Sequence, residues 1–310
     1  MSIMASDAER RAERIALEPM RVVGRRSPFF SGTGQSLAEI WSQRELLGLL
    51  VRREVRARYK DSTLGILWSL FRPIVSLLIY YFAIGQILGL ARAIPDFAIF
   101  VFVGLTTWGL FNEVVASSTT SLLSNAGLVK KVYLPREIYP LSAVGGAMFN
   151  FFVQFLVLLA AIFVLASFPT DERLLLAPLA IIMLTLFSTA VGLILAGVNV
   201  YLRDTQHLVE VALVVLFWAS PIVYSFTFVH DALQGGWLEE LYLANPVTIA
   251  VISMQRSLWA AGDEATGAFA QTWPENLELR LLVMLVVSVG LLWLAQRIFN
   301  RLQGNFAQEL

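Results

Sequence analysis

Six apolar runs set the terms for this chain: residues 64–90, 97–118, 141–168, 174–200, 208–229 and 279–299. Each is long enough for a helix across roughly 30 Å of hydrocarbon. A backbone inside lipid must satisfy its own hydrogen bonds, so runs this apolar point to helices. They lack the alternating pattern of a membrane β-barrel. The expected fold is an all-α membrane protein with six transmembrane helices. Composition agrees, since 15% of the residues are charged against about 25% in an average soluble domain.

Just before the first run, residues 41–61 read WSQRELLGLLVRREVRARYKD. On a helix, Val51, Val55 and Tyr59 share one face, while Arg52, Arg53, Arg56 and Lys60 share another. Such a helix lies in a membrane surface, apolar side down and cations toward anionic head groups. We therefore expect an interface helix over 37–62, a tail over 1–36 and a transmembrane domain over 63–300, with a second tail over 301–310. Residues 1–30 carry no apolar signal segment, so insertion rests on the internal runs.

Charge gives the orientation. Twelve of the 23 Lys and Arg residues fall in 1–63. Arg72, Lys130, Lys131, Arg136, Arg203, Arg297 and Arg301 fall on the same side of a six-span topology. Only Arg92, Arg173, Arg256 and Arg280 fall opposite. The positive-inside rule then puts both termini in the cytoplasm of a multi-pass plasma-membrane protein. The connection before the last run is acidic, with Asp231, Glu239, Glu240, Asp263, Glu264, Glu275 and Glu278. Its centre, LYLANPVTIAVISMQRSLW, is apolar but interrupted by Asn245-Pro246 and closed by Arg256. A re-entrant or interfacial helical hairpin on the outer side fits this, forming a gate region over 230–262. The alternative, a seventh span, would move Arg297 and Arg301 outside.

Much chemistry is excluded. There is no cysteine, hence no disulfide or thiolate metal site. The only lysines, Lys60, Lys130 and Lys131, follow no glycine, so the phosphate loop GxxxxGK[ST] is missing. His207 and His230 stand apart, with no metal-ligand spacing. Glu113, near the cytoplasmic end of the second run and beside Asn112, either snorkels to the interface or faces a channel or neighbouring helix. What remains is a membrane body without its own energy source and with a basic cytoplasmic face.

The loop over 121–140 could receive force from outside. Leu128, Val132 and Tyr133 are apolar, whereas Lys130, Lys131, Arg136 and Glu137 are not, and Pro135 suits a first helical turn. A short amphipathic helix of this kind needs a partner surface, although an ordinary basic inner loop would look the same. Four stretches together resemble the permeases of ABC-2 type exporters, closest to the polysaccharide branch that exports O-antigen, teichoic acid, capsule or galactan. They are LVKKVYLPRE at the centre of the loop, RREVRARYKDSTLGILWSLFRP, NVYLRDTQHLVEVALVVLFWASPIVY and LANPVTIAVISMQRSLW. The resemblance covers about 37–300.

It implies a homodimer bound to two copies of a separate ATPase, which holds the ATP and Mg; this chain carries no cofactor, no metal and no catalytic residue. Leu128, Lys130, Lys131, Val132, Tyr133, Pro135, Arg136 and Glu137 would dock in the ATPase. Spans 1 and 5 would line the channel, with Trp68, Phe71, Tyr80 and Phe82 from one and Phe217, Trp218 and Tyr224 from the other. Glu113 is a further channel candidate. Aromatic faces suit a sliding sugar chain, although membrane aromatics also pack and form belts. Arg52, Arg53, Arg56, Arg58 and Lys60 would hold head groups or gather a pyrophosphate-linked glycan. Arg72, beside Pro73, would meet that pyrophosphate or reach lipid phosphates. Partners are thus the ATPase, a second copy, the lipid-linked glycan and membrane lipid, with no nucleic acid. Two other readings stand beside this one. One, of the same broad class, is an ABC-2 exporter of drugs or lipids; the other, of another class, is a polyprenyl-linked membrane glycosyltransferase, for which no acidic pair lies at the inner surface.

Overall fold

All regular structure among the described residues is helical, with no strand. The computed structural model describes residues 33–59, 67–131, 134–165, 169, 171–264 and 270–310. The chain divides after Ser36, and Leu37–Leu310 forms one compact unit. The expected interface helix is two, α1 (Thr33–Ser42) and α2 (Arg44–Tyr59). Next comes α3 (Leu67–Tyr80), which continues as a wider π-helical turn over Tyr81–Ile87. Then follow α4 (Phe97–Ser124), the short α5 (Ala126–Lys131), α6 (Ile138–Leu165) and α7 (Leu176–Tyr201).

Four helices are long and apolar enough to cross a membrane, by length and composition: α4, α6, α7 with its leading turn, and one further on, α13 (Leu277–Leu302). They match four of the six expected spans. The helix α4 is the centre of the bundle: 72% of its most apolar window is buried, against 17% for α13. That contrast sorts the helices, because a mostly covered helix packs on protein and a mostly open one meets lipid or another chain.

The other two runs give shorter apolar helices. Residues 208–229, read from sequence as one span, are not one helix. α8 (Thr205–Trp218) stops at Trp218, an irregular stretch covers 219–225, and α9 (Phe226–Leu233) follows. The cause is local. Pro221 lacks an N–H and disfavours helix at Ser220. Broken backbone buried among apolar helices survives only where protein satisfies it. Here Gln255 Nε2 donates to the Pro221 carbonyl at 2.8 Å, and Ile222 N donates to Ser220 O at 2.8 Å. Ile222 packs so tightly on α4 that a Cβ at Gly104 would lie 2.6 Å from its carbonyl oxygen.

Gln255 belongs to α11 (Pro246–Leu258), which follows α10 (Trp237–Leu243) after a tight turn. Asn245 caps α11, its Oδ1 accepting from Val247 N at 3.0 Å, and Pro246 opens the helix. α11 is buried almost along its whole length and is not among the four long helices. Around it, the acidic connection is tied to α13. Arg280 grips Glu240 through two hydrogen bonds of 2.7 and 2.8 Å, and Arg256 reaches Glu278 at 3.1 Å. Trp259 Nε1 donates to Pro95 O at 2.8 Å. A one-turn α12 (Ala261–Glu264) precedes α13. After α13 the chain turns through Gln303–Asn305 into α14 (Phe306–Glu309).

Candidate functional site

Two regions gather the residues singled out by sequence. One is the end of the bundle that carries α2 and α5. Arg52, Arg53 and Arg56 are exposed along α2, while Leu50 is buried and Val51 and Val55 are half-buried. The split expected of the helix is present, but its apolar side rests on protein. Val51 seats on α6 at Gly145, where a Cβ would come within 2.5 Å of its Cγ2, and Glu54 lies over Gly146. The glycine pair makes the room. Arg53 also donates to Asn125 Oδ1, at the start of the loop leading to α5, and Asn125 donates in turn to Ser121 O at 2.8 Å.

The helix α5 exposes Leu128 and Lys130 and buries Val129 at 7% exposure. Val129 enters a second apolar cluster with Leu122 of α4, Tyr139 of α6, Val200 of α7 and Phe299 of α13. Leu134 and Pro135 are half-buried. Arg136 and Glu137 turn inward. Arg136 donates to Gln303 O and lies 5.7 Å from the ring centre of Phe306. Glu137 is 4% exposed. Burial pushes its carboxyl above the usual range, against its backbone hydrogen bond, with a smaller push from Glu39 and a pull from Arg136. Lys60, Val132 and Tyr133 lie outside the described residues, as do the side chains of Arg58, Trp68, Arg72 and Lys131.

The second region is an open groove of about 420 Å³ between α3, α4 and α8. Tyr80, Phe217 and Trp218 line it together, joined by Trp108, Asn112 and Glu210. Phe217 is the hub: Tyr80 stacks on it at 5.8 Å, and Trp108 and Trp218 meet it edge-on at 5.6 and 5.3 Å. Tyr224 sits beyond, its hydroxyl donating to Trp218 O at 2.7 Å and lying 3.4 Å from the hydroxyl of Tyr242. Phe71 and Phe82 are exposed and do not line the groove. Neither does Glu113, which accepts from Asn150 Nδ2 of α6 at 2.6 Å.

Sequence reasoning passed over Trp108, Asn112, Glu210 and Val129. Trp108, Asn112 and Ala116 recur every fourth residue on α4, so one helical face was there to be read. Nothing local marks Val129 or Glu210. The groove offers flat aromatic faces with one amide and one carboxylate, which suits weak contact with a polar chain that has apolar faces.

Residues 45–259 match the sequence pattern of the family described as ABC-2 type transporter. The chain belongs to that family. The ABC-2 match begins in α2 and ends at Trp259, so it takes in α5, the groove and α11 but not α13. Among curated relatives, the O-antigen export system permease protein RfbA of Myxococcus xanthus is 31% identical over 272 residues, covering 88% of this chain and 98% of the relative. An RfbA permease of Klebsiella pneumoniae is 27% identical, covering 86% and 95%. The polysialic acid transport protein KpsM of Escherichia coli is 24% identical, covering 69% and 81%. As an ABC-2 permease, the chain is a multi-pass membrane protein paired with an ATPase subunit. Nucleotide binding and hydrolysis belong to that partner.

Proposed function

We propose that this chain is the membrane subunit of an ATP-driven exporter of a lipid-linked polysaccharide, such as an O-antigen or a galactan, out of the bacterial cytoplasm. The observation that carries the reading is the O-antigen permease likeness over nearly the full length of both chains. The groove of Tyr80, Trp108, Phe217 and Trp218 supports it, because stacked aromatic faces hold sugar rings weakly and repeatedly. In this reading there are six spans, the broken 208–229 run counts as the fifth, and α10 with α11 forms an outer re-entrant gate. Both termini are cytoplasmic, in line with the uneven distribution of Lys and Arg.

The working unit is two copies of this chain and two ATPases. Spans 1 and 5 of each copy contribute half of the channel, and the groove is one half's lining. Residues 121–140 receive the ATPase. Leu128 and Lys130 are the exposed contacts on α5, and Val129 anchors the helix to the bundle. Because α2 seats on α6 at Gly145, motion of the coupling loop carries the exposed arginines with it. Those arginines, with Arg58, Lys60 and Arg72, collect the pyrophosphate-linked substrate at the inner surface.

Depletion of the chain in its native host tests the reading. Lipid-linked glycan should build up on the inner leaflet and disappear from the cell surface. Normal surface glycan after depletion would reject it. A second expectation is specific to the groove: Phe217→Ala with Trp218→Ala should lower glycan export while leaving the co-purified ATPase active.

A further inference from the structure

Four separate parts of the chain meet at Phe306. Its ring is fully buried, edge-on to Phe299 of α13 at 5.6 Å and 5.9 Å from Tyr201 at the end of α7. The guanidinium of Arg136, from the stretch between α5 and α6, lies 5.7 Å from the ring centre. Arg136 also donates to the carbonyl of Gln303, in the turn just before. Tyr201 Oη donates to Leu302 O at 2.5 Å, fixing the end of α13 from the other side. The same cluster contains Val129 of α5. The segment past α13, expected from sequence as a tail, is a packed element.

We propose that residues 303–306 are a strut joining the coupling loop to α13, with Phe306 as its positioning residue. This rests on the reading of residues 121–140 as the loop that receives the ATPase. The chain joins this loop to α4 and α6, and Val129 packs it into the cluster that holds Phe299 of α13. Arg136 adds two directed attachments past the end of α13, to the Gln303 carbonyl and to the Phe306 ring. A push on α5 then moves α6 and α13 together. The two attachments differ in kind. A charge-assisted hydrogen bond fixes direction, and a cation held over an aromatic face inside an apolar cluster tolerates sliding without release. Coupling of this sort travels through a packed contact with discrete partners, so a side chain that touches neither ATP nor glycan can set it.

The test uses the complete permease–ATPase complex in liposomes, loaded with lipid-linked glycan. Phe306→Met keeps an apolar filler but removes the ring, Phe306→Ala removes both, and Phe306→Tyr keeps the ring. The strut predicts that Met and Ala variants retain bound ATPase and ATP hydrolysis, while glycan moved per ATP falls by about threefold or more. The Tyr variant should restore the ratio. Wild-type ratios in the Met and Ala variants would overturn the strut. So would a parallel fall of ATPase binding, hydrolysis and export, which marks a merely structural residue. A wild-type complex that hydrolyses ATP but moves no glycan rejects the substrate reading alone. Hydrogen exchange then judges the strut. An ATP-induced change of protection at the end of α13 that vanishes in Phe306→Met supports it, and one that persists overturns it.

Discussion

Gly145 shows how a single hydrogen atom in place of a side chain sets the position of a whole helix. Val51 Cγ2 occupies the space a Cβ would need. Gly145→Leu should lift α2 from α6, at the ~1–3 kcal/mol typical of overpacking. Thermal unfolding of the detergent-solubilised complex, with proteolysis near residue 60, would measure it. Glu113 makes a different bargain. Its carboxylate accepts from Asn150 at 2.6 Å between two helices of the bundle. Polar ties in membranes are worth roughly 0.5–2 kcal/mol. Glu113→Leu and Asn150→Leu should each destabilise by that order, and the double variant should cost less than their sum. Glu137 gives a pH signature. Its pKa is raised in the fold, chiefly by burial. The fold therefore favours the protonated form; this contribution is full below the ordinary value of 4.5 and is lost as pH rises through the folded pKa. Glu137→Gln should thus gain stability over the parent at pH 8 and lose that advantage at pH 4, as read by melting at both.

Among the elements, the break between α8 and α9 depends most on its neighbours. Gln255 is 1% exposed and holds the Pro221 carbonyl. Gln255→Leu leaves that acceptor unmet where no water reaches, at a cost of about 1–3 kcal/mol. Hydrogen exchange over 219–225 should rise first, before global melting falls. This break also marks what could be read in advance. Pro221 was visible, yet 208–229 is apolar apart from Glu210 and three Ser or Thr residues, and its length and apolarity make it one span. The feature that stabilises an unwound stretch, an amide on a helix 34 residues later, has no local trace. The same holds for α2. Its two faces were plain in the sequence, but the surface receiving the apolar face was a glycine pair in a distant helix. The long spans α4, α6, α7 and α13 were legible because length and apolarity suffice. The groove was half legible: the aromatics expected in spans 1 and 5 stood out, whereas nothing local marked Glu210. Arg136 was read as a contact for a partner, and its bond to Gln303 could not be foreseen.

For the molecule as a whole, the chain's lack of cysteine makes its orientation directly measurable. Single cysteines at Lys130 and Ala232, both exposed, should react oppositely with an impermeant thiol reagent. Ala232→Cys should label in intact spheroplasts and Lys130→Cys only after permeabilisation. Labelling of both from outside would reject the topology. The far end is held by ion pairs as well as packing. The Arg280 guanidinium keeps the Glu240 carboxyl below its usual range, so this tie persists at neutral pH and is lost as pH falls through that lowered value. At the opposite end, the cluster around Val129 and Phe306 has a consequence for biogenesis. A chain emerges from the ribosome in order, and its segments begin to fold as they appear. The first helices can insert and pair early, but the site under α5 lacks its central ring until residues beyond 300 have been made. A newly inserted permease is therefore a helix bundle whose α5 end is still unfinished, and a prematurely ended copy would enter the membrane with that end open.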